Sequence, residues 1–88
     1  MTTTYRVRLT RSAAKSLVRV DRRSATRLRA ALRSLAIEPH PVGHKKLKGV
    51  EGYRIRVGDY RIVYTIDGDE LVVEVIRIGH RRDVYAGR

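Results

Sequence analysis

The chain has 88 residues, which predicts a single domain over residues 1–88 with a modest core, burying roughly two-thirds of the surface that the unfolded chain exposes. Twenty lysines and arginines against nine acidic residues give a formal net charge of +11, so the expected partners are polyanions: nucleic acid, an anionic membrane or an acidic protein. Cysteine is absent, which excludes a disulfide framework. Because no apolar run approaches the length of a membrane span and no signal-peptide pattern opens the chain, we expect a soluble cytoplasmic protein with no membrane partner.

The first half of the chain predicts a strand followed by two helices. Arg6 to Leu9 alternates polar and apolar residues, as a strand does. Thr10 is a candidate N-cap for a short helix, and Asp21 for a longer one that Pro39 and Pro41 end. The expected apolar stripes are Ala13, Ala14, Leu17 and Val18 in the first helix, and Ala25, Leu28, Leu32 and Leu35 in the second.

After His44 the pattern changes to period two, which indicates strands. Lys46 to Lys48 is a short edge strand or a loop, and Tyr53–Val57 and Tyr60–Ile66 are strands joined by a Gly58-Asp59 turn. Asp67-Gly68 is a second turn signal before a long strand from about Glu70 to Ile78. The prediction is an α+β fold of order β-α-α-β-β-β, with two N-terminal helices packed on one face of a small twisted antiparallel sheet.

The Gly58-Asp59 turn predicts a register that gathers arginines on one sheet face. If Val57 pairs with Tyr60, alternation places Arg54, Arg56 and Arg61 on one face and the tyrosines and isoleucines on the other. Like charges directly opposite each other destabilise a sheet, so their concentration favours an anion-binding surface. Two alternatives remain open: a solvated face with the arginines splayed apart, or a pairing of Arg61 with Glu74 across the next hairpin.

A cationic and aromatic tail, His80-Arg81-Arg82-Asp83-Val84-Tyr85, follows the last predicted strand. Histidine titrates near neutral pH, and a tyrosine can stack on a base or contact a phosphate. The alternative is a frayed, solvated terminus. His40 and His44 lack an evident third ligand, so we expect no metal site and no cofactor.

Three segments closely resemble RelE-type toxins of the RelE/ParE superfamily. They are Lys46-Leu47-Lys48-Gly49, the run from Gly52 to Tyr64, and the run from Val75 to Tyr85. The resemblance implies the toxin of a type II toxin–antitoxin pair that cuts messenger RNA in the ribosomal A site, with a cognate antitoxin, the ribosome and mRNA as partners. The net charge of +11 predicts that this antitoxin is acidic. The ParE branch shares the fold but inhibits DNA gyrase, and a non-catalytic RNA-binding module is a third alternative.

The resemblance also assigns candidate roles. Arg54 and Arg56 correspond to the family's basic strand pair, Arg61 to the following strand arginine, and Arg81 and Tyr85 to the C-terminal arginine and tyrosine. The well-known RelE has lysines where this chain has Arg54 and Arg56, and arginine stays protonated in proteins, so this pair serves badly as a base. The expected catalytic set is therefore Arg61, Arg81, His80 and Tyr85, with the arginines clamping phosphate and His80 or Tyr85 moving protons. Further RNA or phosphate contacts are expected from Arg54, Arg56, Lys46, Lys48 and Arg82.

Overall fold

The computed structural model describes residues 4–80, which form two helices and a five-stranded sheet. In chain order the elements are β1 (Arg6–Leu9), α1 (Arg11–Arg19), α2 (Arg22–Ile37), β2 (Lys45–Lys46), β3 (Tyr53–Val57), β4 (Tyr60–Asp67) and β5 (Val72–His80). The predicted α+β class is confirmed, and so is the predicted order, in which both helices precede the hairpin-connected strands β3, β4 and β5.

Both helices begin at the predicted caps. The Thr10 hydroxyl accepts a hydrogen bond from the Ala13 backbone N–H at 3.2 Å, and the Asp21 carboxylate accepts one from the Ser24 N–H at 3.0 Å. The bond from Ser24 lowers the pKa of the Asp21 carboxyl below its usual value, because it stabilises the charged form. Each cap supplies an acceptor for a backbone donor that the first helical turn cannot satisfy itself.

The core lies between the helices and one face of the sheet. The predicted stripe of α2, Ala25, Leu28, Leu32 and Leu35, is buried as expected. In α1 the prediction was wrong for Ala14, which is exposed, and for Val18, which is 80% exposed. Ala13, Leu17 and Val20 contact the core instead, since spacings of four and three keep them on one side of the helix while Val18 lies on the other.

The sheet has the order β1-β5-β4-β3-β2 and is mixed rather than wholly antiparallel. Strand β1 pairs with β5 in parallel, with Arg6 opposite Val72 and Leu9 opposite Val75. No tight turn links these two strands, since both helices and three other strands lie between them in the sequence, so local turn chemistry does not fix their direction. The alternation of β1 predicted its strand but not its orientation.

The β4–β5 connection is longer than a two-residue turn. The Asp67 carboxylate accepts hydrogen bonds from the backbone N–H groups of Asp69 and Glu70 at 3.0 and 2.9 Å, and Leu71 follows with a φ of 56°. Strand β5 therefore begins at Val72, two residues later than predicted.

A β-bulge in β5 then changes which residues face the helices. Val63 lies opposite Arg77 and Tyr64 opposite Val75, which leaves Ile76 as the extra residue. Thr10 contacts this bulge twice: its hydroxyl donates to the Ile76 carbonyl at 2.6 Å, and its N–H donates to the Val75 carbonyl at 3.0 Å. Because a bulge shifts the alternation by one residue, Val75 and Ile78 are both buried on the helix side.

Candidate RNA-binding face

The β3–β4 hairpin has the predicted register. Arg56 lies opposite Arg61 and Arg54 opposite Val63, on either side of a turn in which Gly58 has a φ of 63°. A positive φ is readily adopted by glycine and suits a tight hairpin turn. On the other face Ile55, Ile62 and Tyr64 are buried beneath the helices, as the alternation required.

Two further cations join these arginines in register. Lys45 in β2 pairs with Arg54, and Arg77 in β5 lies opposite Val63, so both share the face of Arg54 and Arg61. We call this set the arginine face: Lys45, Arg54, Arg56, Arg61 and Arg77. Sequence reasoning missed Lys45 because the β2–β3 register was not fixed by a short turn, and missed Arg77 because nothing local in the sequence signals the bulge.

Arg61 occupies the most enclosed position on the arginine face. Its side chain is only 8% exposed, and its backbone lies between Arg56 on β3 and Gly79 on β5. Electrostatic interactions strengthen where water is excluded, so a phosphate that reached this guanidinium would interact with it more strongly than with an exposed arginine. The alternative pairing of Arg61 with Glu74 is wrong, because Glu74 lies opposite Thr65 and Arg8.

Acidic residues on the same side of the sheet lie near its other end. Glu74 forms an ion pair with Arg8 at 3.6 Å, and the two line a cavity together with Asp67 and Glu70. Within residues 4–80, none of the residues in register with the arginine face is acidic. The open side of the sheet is thus divided into a cationic half and a half of mixed charge, and a polyanion is attracted to the first.

The structure separates several predicted site residues from the arginine face. Lys46 lies opposite Tyr53, on the other face of the sheet edge, and Lys48 is exposed in the segment after β2. His80 lies opposite Tyr60, and the two rings contact edge to face with centroids 5.7 Å apart. Since Tyr60 shares the helix side with Val57, the register places His80 on the opposite face from Arg61. Arg81, Arg82 and Tyr85 lie outside the described residues.

His80 borders a polar cavity on the helix side of the sheet. Asp21, the N-cap of α2, together with Ser24 and Arg27 of the helix lines one wall of this cavity of about 310 Å³, and the β3–β4 turn lines the other. Arg27 reaches the turn itself, because a Cβ atom on Gly58 would lie 3.0 Å from its guanidinium. The surroundings of His80 therefore carry both signs of charge, unlike the arginine face.

The two histidines of the α2–β2 loop belong to an aromatic cluster. The rings of His40 and His44 are 5.4 Å apart and both contact Tyr53, while His44 Nδ1 is 2.9 Å from the Pro41 carbonyl oxygen. Among residues 4–80 no group of three or more side chains is arranged to hold a metal ion. In the same range, neither helix has the length and apolar character needed to cross a bilayer.

The fold and this site define a small α+β protein with a cationic sheet face suited to a polyanion. The family profile described as the ParE toxin of the type II toxin–antitoxin system, parDE, matches residues 7–85. Two curated relatives, Toxin RelG and Toxin RelE of Mycobacterium tuberculosis, are 34% and 35% identical to the chain over 83 residues. Each alignment covers 92% of this chain, with 95% of RelG and 86% of RelE.

A solved structure gives the same result. The toxin–antitoxin complex RelBE2 of M. tuberculosis contains a chain that matches with a TM-score of 0.82 at 28% identity, covering 92% of this protein and 95% of that chain. The protein therefore belongs to the RelE/ParE toxin superfamily of type II toxin–antitoxin systems, and its relatives place it on the RelE-like side.

Proposed function

We propose that this protein is a translation-inhibiting toxin that cleaves messenger RNA in the ribosomal A site, a metal-independent endoribonuclease acting in the cytoplasm. The observation that carries the proposal is the arginine face, where one register gathers four arginines and a lysine, with no acidic residue among the cross-strand partners that residues 4–80 provide. Arginine presents a planar fork that matches phosphate geometry, and the concentration of positive charge attracts an RNA backbone.

The proposed chemistry uses the 2′-hydroxyl beside the scissile phosphate as the nucleophile. The oxygen–phosphorus bond that it forms replaces the bond to the 5′-oxygen, which leaves with a proton, so no water or metal is consumed. Arg61 and Arg81 would stabilise the charge that develops on the phosphate. Arg54, Arg56, Lys48 and Arg82 would hold the flanking backbone, and Lys46 would contact it from the sheet edge.

The proton-transfer role falls to Tyr85 rather than to His80 in this proposal. His80 was an equal candidate on the sequence, but its register opposite Tyr60 directs it to the helix side, away from Arg61. A general acid or base must come within hydrogen-bonding reach of the proton that it transfers. We therefore expect Tyr85→Phe to slow cleavage, whereas His80→Ala retains it with an unchanged pH profile.

A cognate acidic antitoxin is the proposed protein partner. The chain carries a formal charge of +11, and a solved relative is a complex of toxin with antitoxin. An acidic segment that covers the arginine face would neutralise the charge and block RNA at the same time.

Inducible expression in a bacterium, followed by primer extension on a reporter mRNA, tests the proposal. Growth arrest with cuts confined to the translated frame is the expected result, and an mRNA with its start codon removed provides the control. Arrest with uncut mRNA would reject the proposal.

Inhibition of DNA gyrase is the second candidate function, since the matching family profile carries the ParE name. The same culture distinguishes the two functions: intact mRNA with linearised DNA and an SOS response would indicate gyrase. A non-catalytic RNA-binding module would produce neither cleavage nor growth arrest.

A further inference from the structure

The charge of the protein is not confined to the sheet. Helices α1 and α2 together contain eight arginines and lysines and no acidic residue. Several of these cations are four residues apart, a spacing at which like charges destabilise a helix by about 0.2–0.5 kcal/mol per pair. The helix layer lies across the core from the arginine face, so an RNA strand bound to that face cannot by itself account for this second region of positive charge.

A shallow cavity along α1 concentrates this charge. It has a volume of about 340 Å³ and is lined by Arg11, Ser12, Lys15, Ser16 and Arg19. Every one of these side chains is a cation or a hydroxyl, and each can donate a hydrogen bond to a phosphate oxygen. We call this cavity, with its five lining residues, the α1 groove.

The orientation of α1 fixes the cations of the α1 groove in the exposed position. Ala13 is fully buried against the core, and Arg11, Lys15 and Arg19 lie on the side of the helix opposite to it. With a rise of about 1.5 Å per residue, the three cations span about 12 Å along the axis. That length suits consecutive phosphates of a nucleic-acid backbone better than a single small anion.

We propose that the α1 groove is a second, non-catalytic binding site for the phosphate backbone of structured RNA. The inference rests on the proposed function, because a toxin acting inside the ribosome would be surrounded by RNA and could contact it on both faces. The arginine face would hold the strand to be cut, and the α1 groove would contact an RNA backbone that is not cut. An acidic protein is less suited, because the lining of the groove has no apolar side chain and the exposed Val18 beside it offers a single small apolar contact, too little to anchor a helix.

The test compares two triple variants with equal loss of charge. Arg11→Gln/Lys15→Gln/Arg19→Gln empties the α1 groove of cations, and Arg23→Gln/Arg29→Gln/Arg33→Gln removes three exposed cations from α2 as the matched control. Glutamine is a good helix former, and circular dichroism verifies that both variants remain folded. Binding of the full-length proteins to vacant ribosomes is measured over a series of salt concentrations.

Loss of the groove contacts should reduce the magnitude of the slope of log affinity against log salt by about 0.7–0.9 for each phosphate contact removed, or roughly two to three units for the triple. We expect the groove variant to bind ribosomes at least tenfold more weakly than the control variant near physiological salt. Equal effects of the two triples would mean that only net charge matters and would overturn the proposal. So would a wild-type protein that does not bind vacant ribosomes.

Two further measurements separate the remaining outcomes. If the groove variant binds a purified cognate antitoxin much more weakly while its ribosome affinity matches the control, the groove is a protein-binding surface and the inference fails. If the wild type cleaves no mRNA but its ribosome binding still depends on the groove, the proposed function fails and the inference stands. A short single-stranded RNA should distinguish the two triples little, because the groove is proposed to contact a folded RNA backbone.

Discussion

Arg61 differs from its neighbours on the arginine face in its burial. Arg56 is exposed and Arg54 half-buried, whereas Arg61 is nearly inaccessible. A buried charge carries a desolvation cost that an exposed charge avoids, and a preorganised charge in such a position acts most strongly where negative charge develops in a transition state. The difference in burial therefore predicts that Arg61 has a different role from Arg54 and Arg56, although all three lie on the same face of the sheet.

Replacing Arg61 should impair catalysis more than replacing Arg54. We expect Arg61→Ala to lower the single-turnover rate of mRNA cleavage on ribosomes by about 100- to 1000-fold. Arg54→Ala should chiefly weaken RNA binding, because a peripheral phosphate contact stabilises ground and transition states alike. Unfolding curves verify that Arg61→Ala folds, and Arg33→Ala on α2 controls for charge. A larger rate loss in Arg54→Ala would contradict the assignment.

Tyr64 links the sheet core to the loop that follows α2. Its ring is fully buried and its hydroxyl donates to the Pro39 carbonyl at 2.8 Å. Burial, with smaller contributions from Tyr53 and Glu38, raises the pKa of Tyr64 to about 12, from an ordinary value of 10.0. The neutral phenol is therefore the form that the fold stabilises.

This pKa shift predicts a loss of stability at alkaline pH. A group whose folded pKa is raised contributes its full stabilisation below the unfolded pKa, and that contribution is lost as pH rises from about 10 towards 12. We expect Tyr64→Phe to cost about 1 kcal/mol at neutral pH through the lost hydrogen bond. The difference in free energy of unfolding between the wild type and this variant, measured with urea, should then become smaller above pH 10. A difference in free energy of unfolding that stays constant up to pH 12 would contradict the raised pKa of Tyr64.

At the scale of elements, the sequence predicted those features of the helices and strands that depend on residues close together in the chain. The caps at Thr10 and Asp21 and the hairpin register at Gly58 all depend on residues close in sequence, and all were predictable. Three other features were not predictable: the parallel pairing of β1, the bulge at Ile76, and the sheet face on which His80 lies. They depend on contacts such as the bond between Thr10 and Ile76, 66 residues apart, which no local pattern encodes.

Thr10 joins two elements and should matter more to stability than an exposed helical threonine. Its hydroxyl both caps α1 and bonds the bulge carbonyl of Ile76. Thr10→Val keeps the shape and loses both bonds, so the free energy of unfolding should fall by about 2 kcal/mol, the sum of a cap and a hydrogen bond. Thr26→Val is the control, because the Thr26 hydroxyl bonds only within its own helix, to the Arg22 carbonyl. Urea unfolding of both variants measures the difference, and equal losses would refute the linking role.

At the scale of the whole molecule, the separation of charge on the open side of the sheet bears on any protein partner. The arginine face lies on β2, β3, β4 and the C-terminal part of β5, and the ion pair of Arg8 and Glu74 lies towards β1. An acidic antitoxin segment should therefore dock on the first region and avoid the second. Long-range attraction of this kind chiefly accelerates association.

Association with the antitoxin should accordingly be sensitive to salt, mainly through the on-rate. Raising salt from about 0.1 M to about 1 M shortens the Debye length from about 10 Å to about 3 Å. We expect the on-rate, measured by stopped-flow fluorescence, to fall roughly tenfold or more while the off-rate changes less. Arg54→Ala/Arg56→Ala should reduce this salt dependence, whereas Arg29→Ala/Arg33→Ala, with the same charge loss on α2, should reduce it less. If the two double variants behave alike, net charge alone steers the antitoxin, and an on-rate indifferent to salt would indicate a mainly apolar interface.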